Sequence, residues 1–458
     1  MNKLHFIDKN FRANCAWKLI LRPKTGPNSQ SMHGQEQRDL LQDSRYMRLS
    51  LKAGEGLLLL VFLLLALPLF GQSTLSRLGS EFAITGNFPG DQVNPAVALG
   101  AGGGFVAWED NATDGSGAGV SAASLNAGFV RQTTFRVDKV GKNNQVKPQV
   151  ALLQSNLTVF VWEGNAAGTP DIYARFLKQD GTFATGDIRV NTYIRDQQVN
   201  PDVVGLADGT ALVVWSSYNQ DGSMMGVYAR KVGVTAAASG KEFQVNQYAG
   251  YNQRTPAVAT LADGNYVIVW ISEQERYFES VDVYARIFTP AGVPVTDEIS
   301  INSGANICAN PAVAGSSDGG FTVVWSEKDK LVRTNSWDIM GRAFSSSGAP
   351  TVADFKVNSF VYGDQYRPKL ASGPTGSLVV WTSLGEDGSR EGVFGRFLLN
   401  GNQVSGDEFR VNATTVSQQV YPTVGWNGTD RFLVIWSSHV VGGFDLFGQA
   451  YVLNSLSK

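Results

Sequence analysis

Reactive side chains are scarce in this chain. It has two cysteines and three histidines among 458 residues, and from residue 56 onward only Cys308 and His439 remain. A disulfide framework is excluded in that region, and so are Cys/His zinc sites, which need three or four such ligands. A Cys–His nucleophile pair would require the two lone residues to meet. Basic charge is scarce as well: from residue 56 onward 28 Lys/Arg stand against 35 Asp/Glu. Nucleic-acid binding rests on clustered positive charge, so no nucleic-acid partner is expected. The apolar run at 57–70, LLLLVFLLLALPLF, has fourteen residues, short of the roughly 20 that cross a bilayer.

Arg48 and Lys52 precede that run, and Gly71-Gln72-Ser73-Thr74 follow it. Positive region, apolar region and small residue, in that order, read as a secretory signal peptide over 47–72, with an uncleaved anchor as the alternative. Residues 1–46 show no helical or strand period and carry eight Lys/Arg against four Asp/Glu. They read as a leader outside the mature protein, with the true start at Met47. The mature chain, 73–458, is then expected to be one domain without a membrane span, secreted, periplasmic or on the cell surface. Export without disulfides suits a bacterial envelope protein.

Repetition is what the chain has in abundance. Trp108, Trp162, Trp215, Trp270, Trp325, Trp381 and Trp436 recur every 53–56 residues. Each ends an apolar run such as FVAW, LVVW or FLVIW. Thirteen or fourteen residues earlier stands a proline: Pro95, Pro148, Pro201, Pro256, Pro311, Pro368 and Pro422. Three residues before the proline is a glutamine in six copies, replaced by Cys308 in the fifth. Each unit reads as four strands, shown best by the third copy: a at Asp202–Leu206, b at Ala211–Trp215, c at Gly226–Lys231 and d at Glu242–Asn246. Strand b is apolar at successive positions, so both its faces are expected to be buried; c and d alternate, as outer strands do.

The ends of the array decide its shape. The seventh unit stops after its strand c, and an orphan strand, Glu81–Thr85, precedes the first unit. Phe82 lies 26 residues before Trp108, against 26 or 27 from strand d to the next Trp elsewhere. The orphan strand can therefore complete the last blade and close a ring, removing the open edges of a linear array. The expected fold is all-β: a seven-bladed propeller of four-stranded antiparallel blades.

The pattern Q-x-x-P … V-V-W … D-G-S … V-Y-A-R-F … E-F-x-V-N, over 81–453, resembles repeats of bacterial secreted and surface proteins. It is also similar in plan to WD-repeat and FG-GAP-type propellers. The resemblance implies architecture and little about activity. The first copy departs from it: its strand c, VSAASL at 120–125, lacks the aromatic and the arginine. No sialidase-type S-x-D-x-G-x-T-W box is present.

The recurring residues are expected to hold the ring together: the tryptophans by packing between blades, and the glutamines by satisfying linker backbone. The strand-c arginines Arg175, Arg230, Arg286, Arg342 and Arg396 are expected to pair with Asp187, Glu242, Glu298, Asp354 and Glu408. Loops at 111–117, 219–223 and 386–389 contain Asp-Gly and are similar to calcium loops. Without the D-x-[DN]-x-[DN]-G pattern they read as plain turns, with calcium as the minority alternative and no other cofactor or metal site expected.

Function is expected where the copies disagree. The d-to-a linkers and b-to-c loops leave an up-and-down blade on the same face. The loops of the fourth and fifth copies concentrate Arg276, Tyr277, Phe278, Arg333 and Trp337. Nearer the axis, Asp91, Asn94, Asp196, Asn200, Asn310, Asp364, Arg367 and Tyr421 flank the prolines. These are the candidate ligand contacts, and no catalytic residue is assigned. The leading expectation is a monomeric, non-catalytic binding or adhesion module for a glycan or protein partner. The alternatives are an envelope scaffold, or a carbohydrate-active hydrolase or lyase using carboxylates at the channel mouth, with Asp91 and Asp364 at equivalent positions of blades one and six.

Overall fold

The computed structural model describes residues 74–454, apart from 87, 114, 140, 166–167, 237–238, 330–335 and 401–402. The leader and signal-peptide readings of 1–72 lie outside the described residues. Between 74 and 454 the chain forms 28 strands in seven four-stranded antiparallel sheets. There is no α-helix among the described residues, and no helix is long and apolar enough to cross a membrane.

Blade 1 is β2 (Gln92–Gly100), β3 (Gly103–Asp110), β4 (Gly119–Asn126) and β5 (Arg131–Arg136), paired in chain order. Five further blades repeat this a-b-c-d order. The last blade is β26 (Gln419–Trp426), β27 (Arg431–Val440) and β28 (Gly443–Asn454), completed by β1 (Thr74–Ala83). Closure by the orphan strand is thus present, but the strand is longer than Glu81–Thr85. Thr74–Leu78 pair with Asn454–Ala450, and Phe82–Ala83 with Gly448–Phe447, across a register shift. The reason lies in β28, whose twelve residues offer an outer half that the shorter c strands of the other blades lack. Ile84 and Thr85 continue the contact, with the Ile84 N–H donating to Leu446 O at 2.8 Å and Leu446 N–H to Thr85 Oγ1 at 2.8 Å.

There are seven apolar cores, each between two neighbouring blades. Every repeat tryptophan is at most 2% exposed, and each packs toward the preceding blade: Trp162 with Ala107 and Val120, Trp215 with Val161 and Ile172, Trp108 with Leu433 and Ile435. Truncating one such side chain would cost about 3–5 kcal/mol. The cores make each blade depend on both neighbours, which is why the unit is stable only as a ring.

The glutamines behave as expected. Gln92, Gln145, Gln253, Gln365 and Gln419 each donate an amide N–H to the carbonyl three residues earlier in the linker. In blade 3 the Gln198 carbonyl also accepts from Trp215 Nε1 at 3.0 Å.

The strand-c arginines differ from expectation. Ion pairs form at Arg175–Asp187 (3.9 Å) and Arg342–Asp354 (3.3 Å). The recurring partner is instead a strand-d carbonyl of the preceding blade. Arg175, Arg230, Arg286, Arg342 and Arg396 donate through Nη1 to Val137, Val190, Val245, Ile301 and Val357 at 2.6–3.0 Å. The carboxylates take backbone N–H groups of the preceding linker: Lys139 to Asp187, Thr192 to Glu242, Gln247 to Glu298, Ser303 to Asp354 and Ser359 to Glu408. Both partners are main chain because the blade junction leaves linker N–H groups and strand-d carbonyls that need buried partners. In the last blade, where strand c has Gln449, Arg77 of β1 supplies the same bond to Val411 O at 2.8 Å. Glu81 of β1 likewise accepts the Ala413 N–H.

Candidate ligand site at the mouth of the ring

Strand a begins before the repeated proline in every blade, not after it as the spacing suggests. The glutamine opens the strand in six copies, and a register shift spans the proline in all seven. Proline donates no N–H and disfavours a helical residue before it. The bulge absorbs this by placing the preceding residue in the left-handed region. Asn94, Lys147, Asn200, Thr255, Asn310, Arg367 and Tyr421 all have φ of 50–57°. Asn tolerates that conformation; Thr does so only under constraint. Seven such residues ring one end of the inner strands, and strained backbone of this kind clusters at functional sites.

The constraint is visible in four junctions. The residue after each Trp accepts the N–H of the next blade's left-handed residue: Lys147 N to Glu109 Oε1 at 2.7 Å, Asn200 N to Glu163 Oε2 at 3.1 Å, Thr255 N to Ser216 Oγ at 3.0 Å, and Arg367 N to Ser326 Oγ at 3.2 Å. In blades 1–3 this becomes a continuous network. Asn94 Nδ2 donates to Glu109 Oε1 at 2.8 Å, and Lys147 Nζ donates to Glu163 Oε2 at 3.2 Å and to Asn200 Oδ1 at 2.9 Å. Burial pushes the Glu109 carboxyl above the usual carboxylate range, against the pull of the Lys147 N–H, the Asn94 amide and the lysine charge. Between the sixth and last blades the Arg367 guanidinium lies 4.6 Å over the Tyr421 ring.

Two of the sequence candidates, Asn94 and Asn200, therefore meet in one network, and Arg367 meets Tyr421. Asn310 shares the left-handed conformation and is half-buried. Glu109, Lys147 and Glu163 were not among the candidates. The position after the Trp varies from Glu to Ser, Ile and Thr among copies, and that variation was the available signal.

The remaining candidates sit farther out. Asp91 accepts from Asn111 Nδ2 at 2.9 Å and from Phe444 N at 3.0 Å, tying blade 1 to the last blade. Asp364 accepts from Trp337 N at 3.4 Å, and Trp337 O accepts from Gln365 N at 2.8 Å. Both aspartates brace loops, and each keeps to its own junction. Asp196 accepts from Tyr193 OH at 3.2 Å. Arg276 turns inward: it donates to buried Asp282 at 2.9 Å, to Gly304 O and to Ser300, and lies 5.0 Å over Tyr277. Tyr277 and Phe278 stand outward, 46% and 80% exposed. Arg333 lies outside the described residues.

The b-to-c loops and d-to-a linkers do share a face, since they are hydrogen-bonded to each other: Tyr218 N to Gln197 O, Glu273 N to Asn252 O, Leu384 N to Asp364 O and His439 N to Gln418 O. Among the described residues, all the exposed aromatics, Tyr218, Tyr248, Tyr251, Tyr277, Phe278 and Tyr362, belong to these segments.

In the loops similar to calcium sites Asp221 and Asp387 are engaged as turn residues. Asp221 Oδ1 accepts from Ser223 N at 3.1 Å and Asp387 Oδ1 from Ser389 N at 3.1 Å; Asp114 lies outside the described residues. No group of three His, Cys, Asp or Glu side chains converges among the described residues. EDTA is expected to leave the melting midpoint unchanged; a drop of several degrees, reversed by calcium, would show these loops to be metal sites.

No protein-family model matches the chain, and no curated protein matches it. Solved structures do. A protein of unknown function from Dyadobacter fermentans is 12% identical with a TM-score of 0.50, covering 83% of this chain and 99% of its own. A polysaccharide lyase, an ulvan lyase bound to a glycan, is 11% identical with a TM-score of 0.50, covering 83% of this chain and 98% of its own. An α-L-arabinanase of Penicillium chrysogenum bound to arabinobiose is 13% identical at 0.48, covering 82% and 98%. At these identities the likeness is one of fold, and what the chain shares with the first two is the propeller.

Proposed function

We propose that this chain is an exported, glycan-binding propeller that presents the face built from its d-to-a linkers and b-to-c loops. The observation that carries the reading is the confinement of every exposed aromatic among the described residues to that face, around a rim of asparagine, lysine, glutamate and arginine. Exposed rings offer flat apolar surface for sugar rings, and amides and charged groups bond hydroxyls. The polysaccharide lyase of the same fold binds a glycan, which is compatible with the reading but does not carry it, because one fold hosts many functions.

Affinity electrophoresis against a panel of plant, algal and bacterial polysaccharides tests the proposal. At least one polysaccharide is expected to retard the protein. Replacing Tyr251, Phe278 and Tyr362 together by Ala should weaken that binding at least tenfold, roughly 1.4 kcal/mol, with the melting midpoint unchanged. Free migration in every gel would refute glycan binding, and unaltered retardation of the triple variant would move the site off the aromatic face.

A further inference from the structure

We propose that Glu109 and Glu163 form an acid–base pair that hydrolyses a glycosidic bond of the polysaccharide held at this mouth. The inference rests on the glycan-binding reading and adds chemistry to it.

The two glutamates exceed what the fold requires of them. At the same rank the other blades have Ser216, Ile271, Ser326, Thr382 and Ser437. Ser216 and Ser326 show that a hydroxyl is enough to accept the neighbouring N–H. A carboxylate in that place costs desolvation, and Glu163 is only 8% exposed. Only blades 1 and 2 carry this cost, and they are adjacent.

Their surroundings differ. Glu163 accepts from the Lys147 ammonium and from the Asn200 N–H. Glu109 accepts a backbone N–H and an amide, and burial outweighs these bonds and the lysine charge to push its carboxyl above the usual range. Two polar groups without a partner stand at the same rank of the ring. The hydroxyls of Ser437 and Thr382, both wholly buried, have no hydrogen-bond partner. Buried hydroxyls are normally satisfied, and Ser437 belongs to the blade next to Asn94, whose amide holds Glu109.

The step balances without a co-reactant other than water. Glu163 takes a proton from water as its oxygen bonds the anomeric carbon. The bond from that carbon to the glycosidic oxygen breaks, and Glu109 gives its proton to the departing oxygen. Solvent then returns one proton from Glu163 to Glu109.

The test uses the polysaccharides that retard the full-length protein, each assayed for new reducing ends. The wild-type protein is expected to release them from at least one. Glu109→Gln and Glu163→Gln should each lower the rate at least 100-fold, with melting midpoints reporting an intact fold. Glutamine keeps the carbonyl oxygen that accepts the neighbouring N–H, so the junction survives. Retardation without cleavage by the wild type, or cleavage at the wild-type rate in either variant, overturns the catalytic inference and leaves glycan binding standing. Free migration in every polysaccharide removes both.

Discussion

Deleting residues 74–85 is expected to abolish the stable ring. This segment is the fourth strand of the last blade, although it lies at the opposite end of the chain from the other three. Its loss would bare the outer edge of β28, a ready template for pairing with another chain. It would also strip apolar cover from two cores, since Leu75 packs beside Tyr451 and Leu453 while Phe82 and Ile84 pack with Leu446 and Ala450. Ile84 is fully buried and Leu75 and Phe82 partly so; at about 1.5–3 kcal/mol for a fully buried apolar side chain, the three contribute up to roughly 9 kcal/mol. That is comparable with the whole net stability of a typical domain, about 5–15 kcal/mol. Two polar ties go with them, Arg77 to Val411 O and Glu81 to the Ala413 N–H, both onto the neighbouring blade. The deleted protein should aggregate or melt without cooperativity, while Arg77→Ala and Glu81→Ala should only lower the midpoint. A deletion variant that melts cooperatively at the wild-type midpoint would show that the ring is held closed by other contacts.

That prediction was within reach of the amino-acid sequence because closure depends on like positions. Phe82 aligns with Phe135 and Phe409, and the spacing to the next Trp, 26 or 27 residues, agrees within one, so a missing strand and a spare strand could be matched. The tryptophans were legible for the same reason. The site was only half legible, because its bonds join unlike positions in different copies. Glu109 meets Lys147, 38 residues on, and Glu163 meets Asn200, 37 residues on. Aligning repeats compares Glu109 with Glu163 and Lys147 with Asn200; it never compares a residue with its contact. Asn94, Asn200, Arg367 and Tyr421 were found because they adjoin the prolines, and their partners stayed hidden one strand away. The arginines, of whose expected ion pairs Arg175–Asp187 and Arg342–Asp354 form, were read only in part for a related reason. Their partners are carbonyls of the neighbouring blade, and main chain leaves no mark in a sequence, whereas the acid nearby does.

A second unlike pair yields the other large effect. Glu386→Gln is expected to stabilise the protein in a pH-dependent way. In blade 3 the loop residue Gln220 donates from Nε2 to Glu242 Oε1 at 2.5 Å and accepts from Ser217 Oγ. Blade 6 has Glu386 at that rank, set against Glu408 and Ser383, so two carboxyls occupy the place of an amide and a carboxylate. Burial, then the Glu408 contact, pushes Glu386 up to about 9, while hydrogen bonds from its neighbours hold Glu408 below its ordinary value. Protonated Glu386 imitates Gln220 and donates to Glu408. The sign follows from linkage: a carboxyl raised in the folded state gives stability that is complete below its unfolded value near 4.5 and is lost as pH rises through about 9. Glutamine keeps its donor at every pH. Variant and wild type should therefore melt together at pH 4, and the variant should gain steadily above that, by about 1–3 kcal/mol at pH 9.5 once solvent screening of this half-exposed loop is allowed for. Glu408→Gln should behave oppositely, losing stability most at neutral pH, where the lowered carboxylate is ionised and bonded to the Ser359 and Phe360 N–H groups. Melting midpoints of the three proteins from pH 4 to 9.5 decide the matter. Parallel curves for wild type and Glu386→Gln would mean that Glu386 is ionised throughout, with solvent rather than a shared proton holding the pair together.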